Sequence, residues 1–405
     1  MLLLTFLKYD QLKPVRLPLP IRLWNTFGSV VPSNLSRDAL MKAASNETGL
    51  TDFGDEFFIE PLDVLLTSIQ EEARLHRFGK FVIRKRMIGL LTNRLKAQHF
   101  FKMHPEILDI ELEPPIVIAG LQRTGTTFLQ RLLAIHPNLR PLLSWEALNP
   151  APFLNWQRRE NDPRLKESKK AVEGLKYINP KFFAIHPIEY DVPEEEILLL
   201  DISFMSTVAE ATMHVPTYSD WLVKQDHTPA YEYMKKLLQL LTWQKTNNSK
   251  RWVLKTPHHL EYLDVLRKVF PGCTIIQTHR DPLITVPSLC SMIWHGRFIF
   301  SNDVDATDIG RHWFAKIQRM VEESTEFRSS VQSEGFIDLD YKDLIAEPIS
   351  AVQGIFSKTG LVVDDELITS LDSALKSNHV KKYGTHRYEL KDFGLTEEEI
   401  TKALS

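Results

Sequence analysis

The segment Gly120-Leu121-Gln122-Arg123-Thr124-Gly125-Thr126-Thr127 constrains this chain more than any other. It follows Ile116-Val117-Ile118-Ala119, a β-branched apolar run of the kind buried in parallel sheets. It precedes Phe128, Leu129, Leu132 and Leu133, an apolar stripe at helical spacing that stops at His136-Pro137. Two glycines with four residues between them, then two hydroxyl residues, have the geometry of a P-loop. Consecutive backbone N–H groups form an anion cradle there, and the helix N-terminus adds its dipole. A triphosphate-binding loop would carry lysine at position 126; here that residue is Thr126. The only cation in the loop is Arg123. The residues Gln122 to Thr127 therefore suit a single phosphate or sulfonate group better than a magnesium-bound triphosphate.

The strand–loop–helix order is the first half of a βαβ unit. Trp252-Val253-Leu254, Thr274 to Thr278 and Phe336 to Leu339 read as further strands, with a helix from about His258 to Phe270 between the first two. Residues 1–113 read as a mostly helical N-terminal region and 114–405 as an α/β domain with a helical insertion over 150–250. The basic run 75–102 reads as a solvated helix face. Lys and Arg total 49 against 52 Asp and Glu, which argues against a bulk nucleic-acid binder. The two cysteines, Cys273 and Cys290, fit neither a metal spacing nor a disulfide framework, so a reducing, cytoplasmic setting is expected. No stretch approaches 20 uninterrupted apolar residues. The first 30 residues interleave Leu17, Leu19, Ile21, Leu23 and Trp24 with Arg16 and Arg22; an arm lying on its own domain is preferred to a membrane contact.

A second constellation follows the strand at 274–278. Arg280 sits at the strand end, Asp281 and Pro282 suit a helix start, and Ser288 lies two turns further on. A guanidinium and a hydroxyl placed so can clamp a second phosphate. The first motif resembles the 5′-phosphosulfate loop of sulfotransferases, with Gln122 where proline is common. The second resembles their 3′-phosphate site. Trp252 to Leu260, His386-Arg387-Tyr388, Phe393-Gly394-Leu395 and Trp145-Glu146 extend the likeness from about residue 50 to 397. The group concerned includes bacterial and tyrosylprotein sulfotransferases. The resemblance implies a three-layer, P-loop NTPase-like parallel sheet and 3′-phosphoadenosine 5′-phosphosulfate as donor, without a metal. Arg123 would meet one end of the donor, Arg280 and Ser288 the other, with Arg387 in the tail.

Sulfuryl transfer builds charge on sulfonyl and leaving-group oxygens, so cations should carry much of the catalysis. Arg123 is placed on the leaving oxygen. Lys255 is either its assistant or a solvated strand-end lysine. The proton acceptor is open between Glu146, His259 and His258. Asp191-Val192-Pro193-Glu194-Glu195-Glu196 reads as a helix N-terminus, with acceptor contact as the weaker option. The acceptor itself stays open: a small molecule, glycan, lipid or peptide. So does oligomeric state. A nucleotide kinase and a non-catalytic nucleotide-binding protein are the rival readings.

Overall fold

The computed structural model describes residues 12, 14–28, 34–157, 162–186, 188–245, 250–377 and 388–404. Five strands form one parallel sheet: β1 (Ile116–Ile118), β2 (Leu139–Pro141), β3 (Arg251–Lys255), β4 (Thr274–His279) and β5 (Phe336–Asp340). Their order is β2-β3-β1-β4-β5. β1 is thus central, with Val117 in register with Leu254 on one side and Ile275 on the other.

Side-chain alternation divides the strands between two cores. Ile116 and Ile118 face Leu129, Leu132 and Leu133 of the helix Thr126–Leu133, with Val352 and Phe356 of the helix Pro348–Lys358. Val117, Leu254 and Ile275 face the opposite way. They join a larger core that includes Leu91 and Leu95 of the helix Arg77–Met103 and Leu237 and Leu238 of the helix Thr228–Trp243. Helices therefore cover both faces, the three-layer arrangement that parallel strands need. The N-terminal helices and the inserted helices contribute to one shared core. Each large apolar side chain buried there contributes about 1.5–3 kcal/mol relative to exposure.

The topology places the site. From β1 the chain moves two places along the sheet to β2 and returns one place to β3. It then crosses β1 to β4 on the other side. Such a reversal opens a crevice beyond the carboxyl ends of the strands. Gly120, Lys255 and Arg280 lie at the carboxyl ends of β1, β3 and β4, three adjacent strands.

Several local expectations change. The short strand β2 escapes sequence pattern, because Leu139-Arg140-Pro141 is three residues long and ends in proline. The helix expected from 258 to 270 is a 3₁₀ turn, Pro257–Glu261, followed by the helix Leu263–Val269. The basic run is not wholly solvated. Arg94 is fully buried, donates to the Phe53 and Asp55 carbonyls at 2.8 and 2.7 Å, and lies 4.1 Å from the Phe58 ring centroid. No helix among the described residues is long and apolar enough to cross a membrane.

Candidate active site

The loop is held by small contacts that larger residues would break. A Cβ on Gly120 would sit 1.9 Å from the Thr278 hydroxyl, so the β1–loop junction must be glycine. Gly125 has φ +87°, a left-handed conformation that favours glycine, and it starts the helix Thr126–Leu133. The Thr124 hydroxyl donates to the Leu121 carbonyl at 2.6 Å and meets the Thr278 hydroxyl at 2.6 Å. A hydroxyl has one proton, so Thr278 is the donor in the second contact. Arg123 also has positive φ, 69°, which non-glycine residues rarely adopt outside functional turns.

Arg123, Arg280 and Ser288 come together despite their separation in sequence. Arg123 Nε donates to Ser288 Oγ at 3.1 Å, and Arg280 Nη1 donates to the Arg123 carbonyl at 2.7 Å. The Arg280 guanidinium lies 4.0 Å from the Tyr341 ring centroid, which fixes its plane. Asp281 caps the helix Pro282–Arg297, accepting from Leu283 N at 2.9 Å. Burial lowers the Arg123 pKa from its usual value, and the Arg280 cation pushes the same way. Among the described residues no carboxylate pairs with either guanidinium. Two such cations beside the backbone N–H groups of the loop suit an anion. A cavity of about 440 Å³ adjoins it, lined by Leu121, Thr124, Thr278, Arg280 and Ser324 among others.

Lys255 is 2% exposed rather than solvated. Its ammonium pairs with Glu195 at 2.6 Å and lies 3.5 Å from the Thr127 hydroxyl at the end of the loop. Glu195 also accepts from Thr256 Oγ1 at 3.3 Å. The neighbouring Glu196 is fully buried; it accepts from the Lys255 backbone N–H at 2.7 Å and meets His259 Nε2 at 2.6 Å. His259 Nδ1 in turn meets the Tyr231 hydroxyl at 2.7 Å.

The acidic cluster does precede a short helix, Ile197–Asp201, with Glu196 at its N-cap. Its side chains leave that helix and clamp the end of β3. The Glu194 backbone N–H reaches the Leu142 carbonyl at 2.8 Å, which ties the cluster to the chain after β2. His186 shares the electrostatic environment of Glu195, Lys255 and Arg123. Burial first, then these cations, holds it down to about 4, so it is neutral at pH 7.

The three residues weighed as bases sit elsewhere or are engaged. Glu146 is 1% exposed, pairs with Arg140 and Lys245 at 3.2 Å each, and closes a capping box on Leu143. His259 has both ring nitrogens occupied. His258 is buried against His227, Tyr231 and Tyr262, and burial keeps it uncharged. Arg387 lies outside the described residues, as does His386; the next residue, Tyr388, acts electrostatically on Arg123. Phe204 and Tyr218 are core, and the Phe182 ring lies 5.8 Å from that of His186. Sequence reasoning gave Glu195 acceptor contact only as the weaker option, and missed His186 and Tyr341 beside the candidate site. The one available signal was the run of three carboxylates, Glu194 to Glu196.

A model of the sulfotransferase family matches residues 114–365. The omega-hydroxy-beta-dihydromenaquinone-9 sulfotransferases Stf3 of Mycobacterium bovis and Mycobacterium tuberculosis are 27% identical over 263 residues. That alignment covers 62% of this chain and 63% of theirs, so it spans less than two thirds of their length. Sulfotransferase STF1 from Mycobacterium tuberculosis H37Rv superposes with a TM-score of 0.80 at 34% identity, covering 91% of this chain and 98% of that one. Sulfotransferase STF9 from Mycobacterium avium gives 0.81 at 24% identity over 93% and 96%, a likeness of fold. The family match extends over more than half of the chain, and a 34% identical relative aligns along nearly all of it: this chain belongs to the sulfotransferase family.

Proposed function

We propose that this protein transfers a sulfuryl group from 3′-phosphoadenosine 5′-phosphosulfate to an acceptor hydroxyl. The observation that carries the reading is the convergence of Arg123, Lys255 and Arg280 on one amide cradle, with no carboxylate partner to Arg123 or Arg280 among the described residues. The donor supplies an activated sulfuryl group with a good leaving phosphate. Loop N–H groups and Arg123 hold its 5′ end, Arg280 and Ser288 its 3′-phosphate, and the adjoining cavity its nucleoside. Lys255, with Thr127 at its tip, stabilises charge on the leaving oxygen.

Glu195 is the proton acceptor in this reading. In the reaction a bond forms between the acceptor oxygen and sulfur while the bond from sulfur to the phosphate oxygen breaks. The hydroxyl proton passes to the Glu195 carboxylate. Glu195 stands beside Lys255 and is only partly buried, whereas Glu146 and His259 are sealed into buried pairs. The named acceptor of the curated relatives is a hydroxylated dihydromenaquinone. We extend to this chain only the class, a hydroxyl on a small molecule or lipid.

The test is nucleotide titration by calorimetry. The 3′,5′-bisphosphate of adenosine should bind far more tightly than ATP with magnesium. Arg280→Ala should lose about 10- to 150-fold for the bisphosphate, as removal of a charge-assisted contact of roughly 1.5–3 kcal/mol requires. Its affinity for the analogue with a 3′-hydroxyl should hardly move. Equal weakening of both nucleotides would mean that Arg280 acts by bracing the Arg123 carbonyl instead. Tighter binding of magnesium–ATP than of the bisphosphate would favour a kinase.

A further inference from the structure

The helix Leu19–Phe27 lies on the helix Arg77–Met103 through one face only. Leu17 and Ile21 are buried with Phe78, and Trp24 packs on Phe78 and Phe81 with ring centroids 5.5 and 5.2 Å apart. The opposite face carries Leu19, Leu23 and Phe27, spaced one helical turn apart and 60%, 49% and 79% exposed. Phe27 is the most exposed of the large apolar side chains among the described residues. Scattered exposed leucines are ordinary; an aligned stripe on a short helix is not.

The two helices at the stripe carry cations and no carboxylates. Residues 14–28 include Arg16 and Arg22 and no Asp or Glu. Residues 77–103 contain no Asp or Glu either. Arg77 donates to the Thr26 and Gly28 carbonyls at 3.3 and 3.0 Å, which puts its guanidinium at the Phe27 end of the stripe. Lys80, exposed, follows within one turn. An apolar ridge fringed by cations is complementary to an anionic bilayer surface, where side chains enter the acyl boundary and cations stay among headgroups. Three side chains are too few for a stable protein interface, which takes about 800 Å² per partner.

We infer that Leu19, Leu23 and Phe27, with Arg22, Arg77 and Lys80, dock this protein on an anionic lipid surface. The position bears on the reaction centre. Ile178 packs into the same cluster as Leu17 and Ile21, and the helix Pro180–Ile185 leads directly from it to His186, which feels the charges of Lys255 and Arg123. A docked protein would hold the wall of its site close to the bilayer, within reach of a lipid hydroxyl. That last link rests on the proposed sulfuryl transfer; the docking itself does not.

Sedimentation of the full chain with vesicles tests it. Vesicles of equal parts phosphatidylcholine and phosphatidylglycerol should pellet the protein, and phosphatidylcholine alone should do so weakly. Binding should fall as salt shortens the Debye length to about 3 Å. Leu23→Ser with Phe27→Ser should reduce partitioning at least tenfold on both vesicle types. Arg77→Gln with Lys80→Gln should reduce it on anionic vesicles only. Because these side chains are exposed, both variants should keep the parent's melting temperature and nucleotide affinity. Three results would overturn the inference: no binding by the parent to either vesicle, unchanged binding by the serine variant, or a parent dimer that the serine variant dissociates, which would assign the stripe to a second copy. Vesicle binding with no nucleotide binding would leave docking intact and remove sulfuryl transfer.

Discussion

Replacing Glu195 by glutamine should cut kcat by about 10²–10⁴ while changing affinity for the adenosine bisphosphate less than tenfold. The exchange keeps size and hydrogen-bonding capacity but removes the proton acceptor. Folding should survive, because the Glu195 side chain is 26% exposed. Lys255 would lose its ion-pair partner and keep its contact with the Thr127 hydroxyl. Donor binding through Arg123, Arg280 and Ser288 would stay intact, which is why the loss should appear in kcat. His186→Asn is the comparison. A histidine held down to about 4 is no stronger a base than an ordinary carboxylate, so its removal should cost less. Near-parent turnover by a folded Glu195→Gln protein would move the base to His186, and an equal loss from both would show that neither acts alone.

The contrast between Arg123 and Glu195 shows what a sequence exposes. Arg123 sits inside a short motif whose spacing has a mechanical meaning, so the anion cradle can be read without coordinates. Strands β1, β3 and β4 are legible for a similar reason: burial on both faces writes apolar runs such as Ile116-Val117-Ile118; β5, a half-exposed edge strand, is legible only through Phe336, Ile337 and Leu339. β2 is illegible because an edge strand of three residues carries no period. Glu195 is invisible in another way. Its partner Lys255 is 60 residues away, and the pairing depends on the cluster after Asp191 being fastened to the chain after β2. Local propensity assigns the three carboxylates to a helix start, which is true of Glu196 and says nothing of where its side chain goes. Arg94 makes the same point in the N-terminal region: a basic run reads as solvated, yet one guanidinium is enclosed by Phe58, Tyr233 and two carbonyls.

Lys316→Ala should destabilise the fold by about 3–5 kcal/mol, measured by urea unfolding. Lys316 has no exposed surface; its ammonium lies 2.8 Å from Glu210 and 3.0 Å from Glu261. Burial works against the charged lysine, and the two carboxylates outweigh it, raising its pKa. Truncation would leave both carboxylates buried, with His312 on Glu210 and Arg319 on Glu261 as remaining partners. The penalty is that of stranded charge rather than lost packing. Lys316→Met combined with Glu210→Gln and Glu261→Gln should therefore recover most of it. Acid should act through the same region. Burial holds His227 down to about 4 and drives the pKa of His258 well below the usual histidine value. The unfolded chain binds protons at these histidines below about pH 6.5. Native stability is then fully present above that pH and lost as pH falls toward 4, at up to about 1.4 kcal/mol per pH unit for each group. Glu210, lowered by Lys316 and His312 against burial, adds its own loss in the carboxylate range. Glu261 ends the turn Pro257–Glu261 that begins two residues after Lys255, so loosening this network should also disturb the Lys255–Glu195 pair. Activity lost in parallel with stability on acidification, and restored on return to neutral pH, is the expected result. If Lys316→Ala instead unfolds at the parent's urea concentration, the buried charges are solvated by another route and this account of the network fails.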